Sequence, residues 1–117
     1  MKKQPLKPKR IVLRFRATDK HIFDAVRSGT KKVETRANTI RYKKAKAGDI
    51  LICLCEGKKF ERPVKRVRRF KNPLALLKVY KPSLILPGAT KKEVLNLYKI
   101  FYKSDLKKIG ILAFELE

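Results

Sequence analysis

The sequence predicts an α+β domain, a small twisted β-barrel of about five to six strands with two or three covering helices. Three observations lead to this prediction. The chain has 117 residues, which suits one domain. Hydrophobic residues make up 44% of it, enough for a packed core. The apolar patterns run in the order strand, helix, several short strands, two helices and a final strand.

The chain begins with a basic segment. Residues 1–9 contain four lysines and two prolines. That composition is typical of a flexible arm, which could order along a phosphate backbone. We therefore expect residues 10–117 to form the folded domain.

A strand, a helix and a second strand are predicted next. Either Thr18 or Asp19 can cap the helix, and Gly29 suits its end. The second strand covers about residues 31–38, and the basic residues 39–47 are expected to form a loop or an irregular strand. The apolar positions of the first strand are Ile11, Leu13 and Phe15.

The middle of the chain is predicted to form a β-hairpin. Residues 50–55 form an apolar strand, and residues 56–59 contain the turn. The following strand, over about residues 60–70, is the most basic of the chain. Because Pro63 cannot donate to a sheet ladder, we expect an edge position near the start of this strand.

Two further helices and a strand complete the prediction. Asn72 can cap a short helix, and residues 83–86 are expected to be irregular. Thr90 and Glu93 have the spacing of a capping box. The last strand covers residues 110–116. Inward-facing helix residues are expected to be Leu74 and Leu77, with Leu76 as a further candidate, then Val94, Leu97, Tyr98 and Phe101.

The charge balance indicates a polyanionic partner. The chain has 32 Lys and Arg against 10 Asp and Glu, a formal charge of +22. Nucleic acid is the leading candidate, because neutralised phosphates release their counterions and drive binding. Added solubility is the simpler alternative. No apolar run approaches the roughly 20 residues of a membrane-spanning helix, so no membrane partner is expected.

The few cysteine and histidine residues predict neither a metal nor a cofactor. Cys53 and Cys55 lie two positions apart on one strand, a geometry that is poor for a disulfide. With His21 as the single histidine, no four-ligand zinc set can be assembled. Two buried, reduced thiols favour a cytoplasmic setting.

The segment 29–36, Gly-Thr-Lys-Lys-Val-Glu-Thr-Arg, carries the most distinctive pattern. Strand alternation puts Lys32, Glu34 and Arg36 on one face and the residues between them on the other. Lys31 lies at the helix–strand corner, where alternation need not hold. A carboxylate between cations can orient an arginine toward a polar partner. The alternative is a solvated strand edge whose lysines block unwanted pairing.

This pattern resembles that of the ASCH domain, a member of the PUA-like superfamily. The resemblance rests on Gly29, Lys31, Glu34 and Arg36 in the spacing G-x-K-x-x-E-x-R, and on an ordered set of further segments. It implies a β-barrel in which the motif residues line a cleft between barrel and helices, and it implies RNA binding. The further segments are 48–49, 64–70, 85–87 and 110–114.

We therefore expect an RNA-binding module, monomeric and without a cofactor, with structured ribosomal RNA as a specific hypothesis. The motif residues Lys31, Lys32, Glu34 and Arg36 would contact an unstacked base or a terminus. Other basic residues would bind phosphates. These are Arg41, Lys43, Lys44, Arg66, Arg68 and Arg69.

Two enzymatic alternatives remain open. Some small ASCH proteins resemble amidohydrolases that deacetylate acetylated cytidine nucleosides with a lysine, a threonine and a glutamate. The lysine matches Lys31, but Glu34 takes the threonine position, and no carboxylate precedes Glu93 at the glutamate position. Glu34 could act as the base for Lys31. The second alternative is a ribonuclease that uses the same lysine and glutamate for acid–base catalysis.

Overall fold

The computed structural model of the protein describes residues 8–102 and 110–117. Residues 1–7, the greater part of the predicted basic arm, lie outside this description. The strands are β1 (Arg10–Arg14), β2 (Val33–Ala37), β3 (Ile50–Cys55), β4 (Lys58–Phe70) and β5 (Ile111–Leu116). The helices are α1 (Lys20–Ser28), α2 (Pro73–Val79), α3 (Pro82–Ile85) and α4 (Lys91–Tyr102), and 3-10 turns span Ala17–Asp19 and Ile40–Tyr42.

The five strands form one mixed sheet in the order β1-β3-β4-β5-β2. β1 runs parallel to β3, and the other neighbouring pairs are antiparallel. The predicted α+β class is therefore confirmed. Within the described residues the sheet is open, because β1 and β2 form its two ends and no backbone ladder joins them.

β4 lies in the middle of the strand order, but within the described residues its first part has β3 as its single partner strand, which agrees with the predicted edge position near the start of the strand. Its first half, up to Pro63, pairs with β3, and its second half, from Val64 to Phe70, pairs with β5. The register shifts between Val64 and Arg66, as in a β-bulge. Pro63 is tolerated because it lies where the strand changes partners.

Two hydrophobic clusters pack on opposite faces of β5. Leu112 and Phe114 belong to the cluster that contains α1, β1 and β3. Ile111 and Ala113 belong to the cluster under α2, α3 and α4. Burial on both faces explains why residues 111–114 are apolar without alternation.

The helix that follows β4 begins as predicted, but one of its three expected inward residues is exposed. Asn72 Oδ1 accepts from Ala75 N at 2.9 Å, which confirms the cap. Leu76 is fully buried, whereas Leu74, expected to face inward, is 52% exposed. Because α2 has only seven residues, its tertiary contacts and not its own periodicity decide which face is buried.

Other local predictions are mostly confirmed. Thr90 and Glu93 exchange the two hydrogen bonds of a capping box, at 3.0 and 3.2 Å. Gly29 ends α1 with a φ of 84°. Asp19 precedes α1 but forms no cap, because its carboxylate accepts from Arg16 Nε at 2.9 Å. Residues expected to be irregular form the short helix α3.

Gly110 joins β5 closely to the end of β4. Its φ is 76°, and a Cβ atom there would lie 2.4 Å from the carbonyl oxygen of Phe70. Only glycine fits this approach.

Asp49 ties the start of β1 to the turn before β3. Its buried carboxylate accepts from Lys9 N and from Lys46 N, each at 3.0 Å. The predicted turn into β3 is thus held by a side chain as well as by the backbone.

No helix in the described part of the chain has the length and apolar character needed to cross a membrane.

Candidate functional site

The two ends of the sheet approach each other along a gap between β1 and β2, which we call the seam. The odd-numbered residues of β1 bond to β3, so the carbonyls of Val12 and Arg14 face the seam. Arg41 Nη2 donates to Val12 O at 2.8 Å, and Arg36 Nη1 donates to Arg14 O at 3.3 Å. Arginine side chains thus take up β1 carbonyls that a ladder with β2 would otherwise use.

A cleft of about 350 Å³ opens at the seam. One wall comes from the end of β1 and the start of α1, including Phe15 and Ile22. The opposite wall comes from α3 and α4, including Leu86 and Tyr98. Residues from both faces of β2 line the cleft between these walls, because the edge of β2 is turned toward it.

Three charged residues of the motif form a hydrogen-bonded cluster in the cleft, which we call the motif cluster: Lys31, Glu34 and Arg36. Lys31 Nζ donates to Glu34 Oε1 at 2.9 Å and also to the carbonyl of Val33. Arg36 donates from Nε and Nη2 to Glu34 Oε2 at 3.2 and 3.1 Å. Both oxygens of the carboxylate are therefore occupied by cations.

Burial distinguishes this cluster from a solvated strand edge. Lys31 is 3% exposed and Glu34 is 4% exposed. Burial by itself raises the pKa of the Glu34 carboxyl, but the charges and hydrogen bonds of Lys31 and Arg36 hold that pKa below its ordinary value of 4.5. Glu34 is therefore ionised at neutral pH, and its role is to hold the two cations in place. The solvated-edge interpretation is wrong for Lys31 and Glu34.

Arg36 is held on a second side by an aromatic ring. Its guanidinium lies 4.8 Å from the ring centroid of Phe15, within range of a cation–π interaction. This cation–π contact and the two hydrogen bonds to Glu34 Oε2 together hold the guanidinium in place.

The helix side of the cleft carries a pair of hydroxyl groups. Thr35 Oγ1 and Tyr98 Oη lie 2.6 Å apart, and both residues are buried. Tyr98 was expected to be a core residue, and it does pack in the cluster under the helices. Its hydroxyl nevertheless reaches the cleft, where it meets the Thr35 side chain of the end strand β2.

The structure brings together three of the four predicted motif residues. Lys31, Glu34 and Arg36 line the cleft, whereas Lys32 is exposed and does not. The predicted grouping of Lys32 with Glu34 is replaced by Lys31, which reaches Glu34 from the corner before β2. The sequence interpretation missed Phe15 and Thr35 as cleft residues, since both also fit an ordinary strand pattern.

Two predicted phosphate-binding arginines donate to backbone carbonyls instead. Arg69 Nη2 lies 3.1, 2.9 and 3.3 Å from the carbonyl oxygens of Tyr42, Lys43 and Ala45. It therefore holds the segment after β2 in place. Arg41 bonds to β1 across the seam, as described above.

The remaining predicted basic residues lie closer to solvent. Lys43 and Lys44 are exposed, and Arg66 is exposed with its guanidinium 3.9 Å from Glu115. Arg68 is half-buried, with its guanidinium 5.6 Å from the Phe70 ring centroid. These side chains present positive charge near the protein surface.

No group of three or more His, Cys, Asp or Glu in the described ranges is arranged to hold a metal ion. Cys53 and Cys55 are buried and unbridged. Burial raises the pKa of the Cys53 thiol to about 12, so it stays protonated and unreactive at neutral pH.

Comparisons with known proteins identify the same fold elsewhere. No protein-family model matches the chain, and no curated protein matches it. The crystal structure of the hypothetical protein PH0355 is similar over 95% of this chain and 98% of that one, with a TM-score of 0.77 and 27% identity. The solution NMR structure of protein PF0455 from Pyrococcus furiosus is similar over 95% and 96%, with a TM-score of 0.68 and 24% identity. The fold is therefore shared over nearly the whole length of each chain.

Proposed function

We propose that the protein is an RNA-binding module of the ASCH type, with a PUA-like barrel arrangement, whose cleft receives one unstacked nucleotide. The single observation that carries the proposal is the motif cluster, in which a buried lysine and carboxylate and a half-buried arginine are fixed by hydrogen bonds in a cleft of about 350 Å³. That volume lies at the lower end of the range of roughly 300–1,000 Å³ for small-ligand sites.

The composition of the cleft suits a nucleotide. Its apolar residues, such as Phe15 and Leu86, offer surfaces for the faces of a base. Arg14 and Arg16, on the β1 side, supply positive charge for a phosphate. The hydroxyls of Thr35 and Tyr98 supply polar contacts on the other side.

The charge of the whole chain supports an RNA partner. A formal charge of +22 gives long-range attraction to a polyanion. The exposed cations Arg66, Lys43 and Lys44 can contact phosphates outside the cleft. Structured ribosomal RNA stays the specific partner hypothesis.

The test is the salt dependence of binding to labelled single-stranded and structured RNA, measured by fluorescence anisotropy. Affinity should fall by roughly 0.7 log units per contacted phosphate for each tenfold increase in salt. Reversing two charges in Arg66→Glu/Arg68→Glu should weaken binding at least tenfold. An affinity that does not respond to salt would remove the proposal.

The matched control reverses two charges elsewhere on the same strand. Lys58→Glu/Lys59→Glu changes the net charge equally, at the hairpin end of β4. If binding uses a defined surface, this control should lose less affinity than the Arg66/Arg68 pair. Equal losses would mean that the attraction is non-specific.

An amidohydrolase acting on acetylated cytidine nucleosides is the second candidate. It is favoured by the buried position of Lys31 in the cleft. It is opposed by the state of Glu34, since a carboxylate whose pKa is lowered and whose oxygens are both bonded is a weak base. Turnover of N4-acetylcytidine by the wild-type protein, lost in Lys31→Met, would replace the RNA-binding proposal.

A ribonuclease would draw on the same Lys31 and Glu34, and Glu34 is a weak base for that reaction too. Gel analysis of the RNA recovered from the binding assay tests this third candidate. Intact RNA is the expected result.

A further inference from the structure

Alternate residues of β2 direct their peptide groups to opposite edges of the strand. The bonds to β5 therefore determine which peptide groups face the seam. Leu116 N donates to Lys32 O at 2.8 Å, and Asn38 N donates to Gly110 O at 3.0 Å. The even-numbered residues of β2 therefore bond to β5. The N–H and C=O groups of the odd-numbered residues face the other way, toward the cleft.

Among these outward residues, Thr35 stands apart. The carbonyl of Val33 accepts from Lys31 Nζ, and the carbonyl of Ala37 accepts from Thr39 N at 2.8 Å. Within residues 8–102 and 110–117, no hydrogen bond reaches either the N–H or the C=O of Thr35. Thr35 thus presents an adjacent donor and acceptor, and it lines the cleft.

An adjacent donor and acceptor match the edge of a nucleobase. In a sheet, a residue in this orientation exchanges two hydrogen bonds with the residue opposite it. The Watson–Crick edge of an unpaired RNA base offers the same complementary arrangement of a donor beside an acceptor. The apolar walls of the cleft would then enclose the faces of the base.

Building on the RNA-binding function above, we propose that the backbone N–H and C=O of Thr35 read the Watson–Crick edge of one unpaired RNA base in the cleft. The motif cluster supports this role indirectly. By bonding to the carbonyl of Val33, Lys31 occupies the neighbouring acceptor on the same edge and leaves Thr35 as the open position.

An extended peptide is the competing ligand for a strand edge, and the structure disfavours it. A peptide adding to β2 would need successive outward groups along the strand. The carbonyls of Val33 and Ala37, on either side of Thr35, already have donors. An opening one residue long suits a compact heterocycle better than an added strand.

The first experiment changes the ligand, so it does not depend on a variant that folds. Short homo-oligomers of each nucleoside are compared with counterparts in which every base is methylated on the Watson–Crick edge, such as N3-methyluridine for uridine. The oligomer that binds most tightly should lose about tenfold in affinity on methylation. In NMR spectra of the full chain without RNA, the Thr35 amide hydrogen should exchange rapidly with solvent. When the unmodified oligomer is bound, the same hydrogen should be protected from exchange.

A protein variant gives the matching test. Thr35→Pro removes the outward N–H and leaves the bonds of Glu34 and Arg36 to β5 intact, a position at which an edge strand accepts proline. It should abolish the difference between methylated and unmodified oligomers. Ala37→Pro, which removes another outward N–H of β2, should keep that difference.

The outcomes separate this inference from the function on which it rests. Salt-dependent RNA binding with no methylation effect and an unprotected Thr35 amide would overturn base reading and leave RNA binding intact. Failure to bind these oligomers and the structured RNA of the salt-dependence test would overturn both. Protection of the Thr35 amide by an extended peptide, and not by RNA, would assign the edge to a protein partner.

Discussion

The motif cluster and the basic strand β4 are both rich in cations, yet they use them in opposite ways. In the motif cluster, Lys31 and Arg36 flank one buried carboxylate, and their positions are fixed by hydrogen bonds. In β4, five Arg and Lys side chains lie between Arg62 and Arg69, with Glu115 of β5 3.9 Å from Arg66. A run of positive residues in sequence can therefore mark a rigid site or an open charged surface.

The basic side chains of β4 fall into two groups. Arg62 Nη1 donates to the carbonyl of Val26, at the end of α1, at 2.6 Å, and Arg69 holds the segment after β2. Arg66 and Lys65 are exposed. Arginines that donate to backbone carbonyls contribute to stability, whereas the exposed cations are available to a polyanion.

The largest expected effect comes from removing the carboxylate of the motif cluster. Glu34→Ala leaves Lys31 and Arg36 without their anion and should lower the free energy of unfolding by about 3 kcal/mol. Chemical denaturation at neutral pH measures this. The control is Glu61→Ala, which breaks an exposed pair with Arg10 and should cost less than about 1 kcal/mol. Equal losses of unfolding free energy in the two variants would mean that burial does not increase the contribution of the motif cluster to stability.

A smaller effect should divide the arginines of β4. Arg69→Ala removes a donor shared by three carbonyls and should cost about 1–2 kcal/mol of stability. Arg66→Ala should change stability by less than about 0.5 kcal/mol while it weakens RNA binding. Thermal unfolding and anisotropy titrations on both variants test this division, which fails if the two arginines affect the same property.

The smallest effect is a pH dependence confined to the motif cluster. The pKa of Glu34 is lower in the folded chain than its ordinary value of 4.5, so its stabilisation is fully present above that pH and is lost as pH falls through the folded pKa. The stability difference between wild type and Glu34→Gln should shrink below pH 4.5, by at most about 1.4 kcal/mol per pH unit. Unfolding curves between neutral and acid pH measure it, and a constant difference would contradict the lowered pKa.

The elements of the fold were largely predictable because their signals are local. The Asn72 cap, the Thr90–Glu93 capping box and the apolar strand β3 depend on residues a few positions apart. The change of partner strand along β4 was not predictable, because it depends on two strands from distant parts of the chain. On α2 the exposure of Leu74 was not predicted, whereas Leu76 and Leu77, both named as candidates, pack in the cluster under the helices.

The candidate site was predictable only as a set of residues. The spacing of Lys31, Glu34 and Arg36 predicted a charged site with a central carboxylate, and their packing in one cleft agrees with that expectation. Strand alternation favoured Lys32 over Lys31 as the neighbour of Glu34. The alternation rule applies only within a strand, and Lys31 lies at the corner before β2.

The sequence by itself determined the order of elements, the caps and turns, the excess of positive charge and the identity of the motif residues, because these depend on composition and short-range spacing. Only the tertiary structure decided that Arg36 and Arg41 bond to β1, that Arg69 supports a distant segment, and that the hydroxyl of Tyr98 meets Thr35. Those contacts join residues that are far apart in the chain, and the pairing of the strands brings them together.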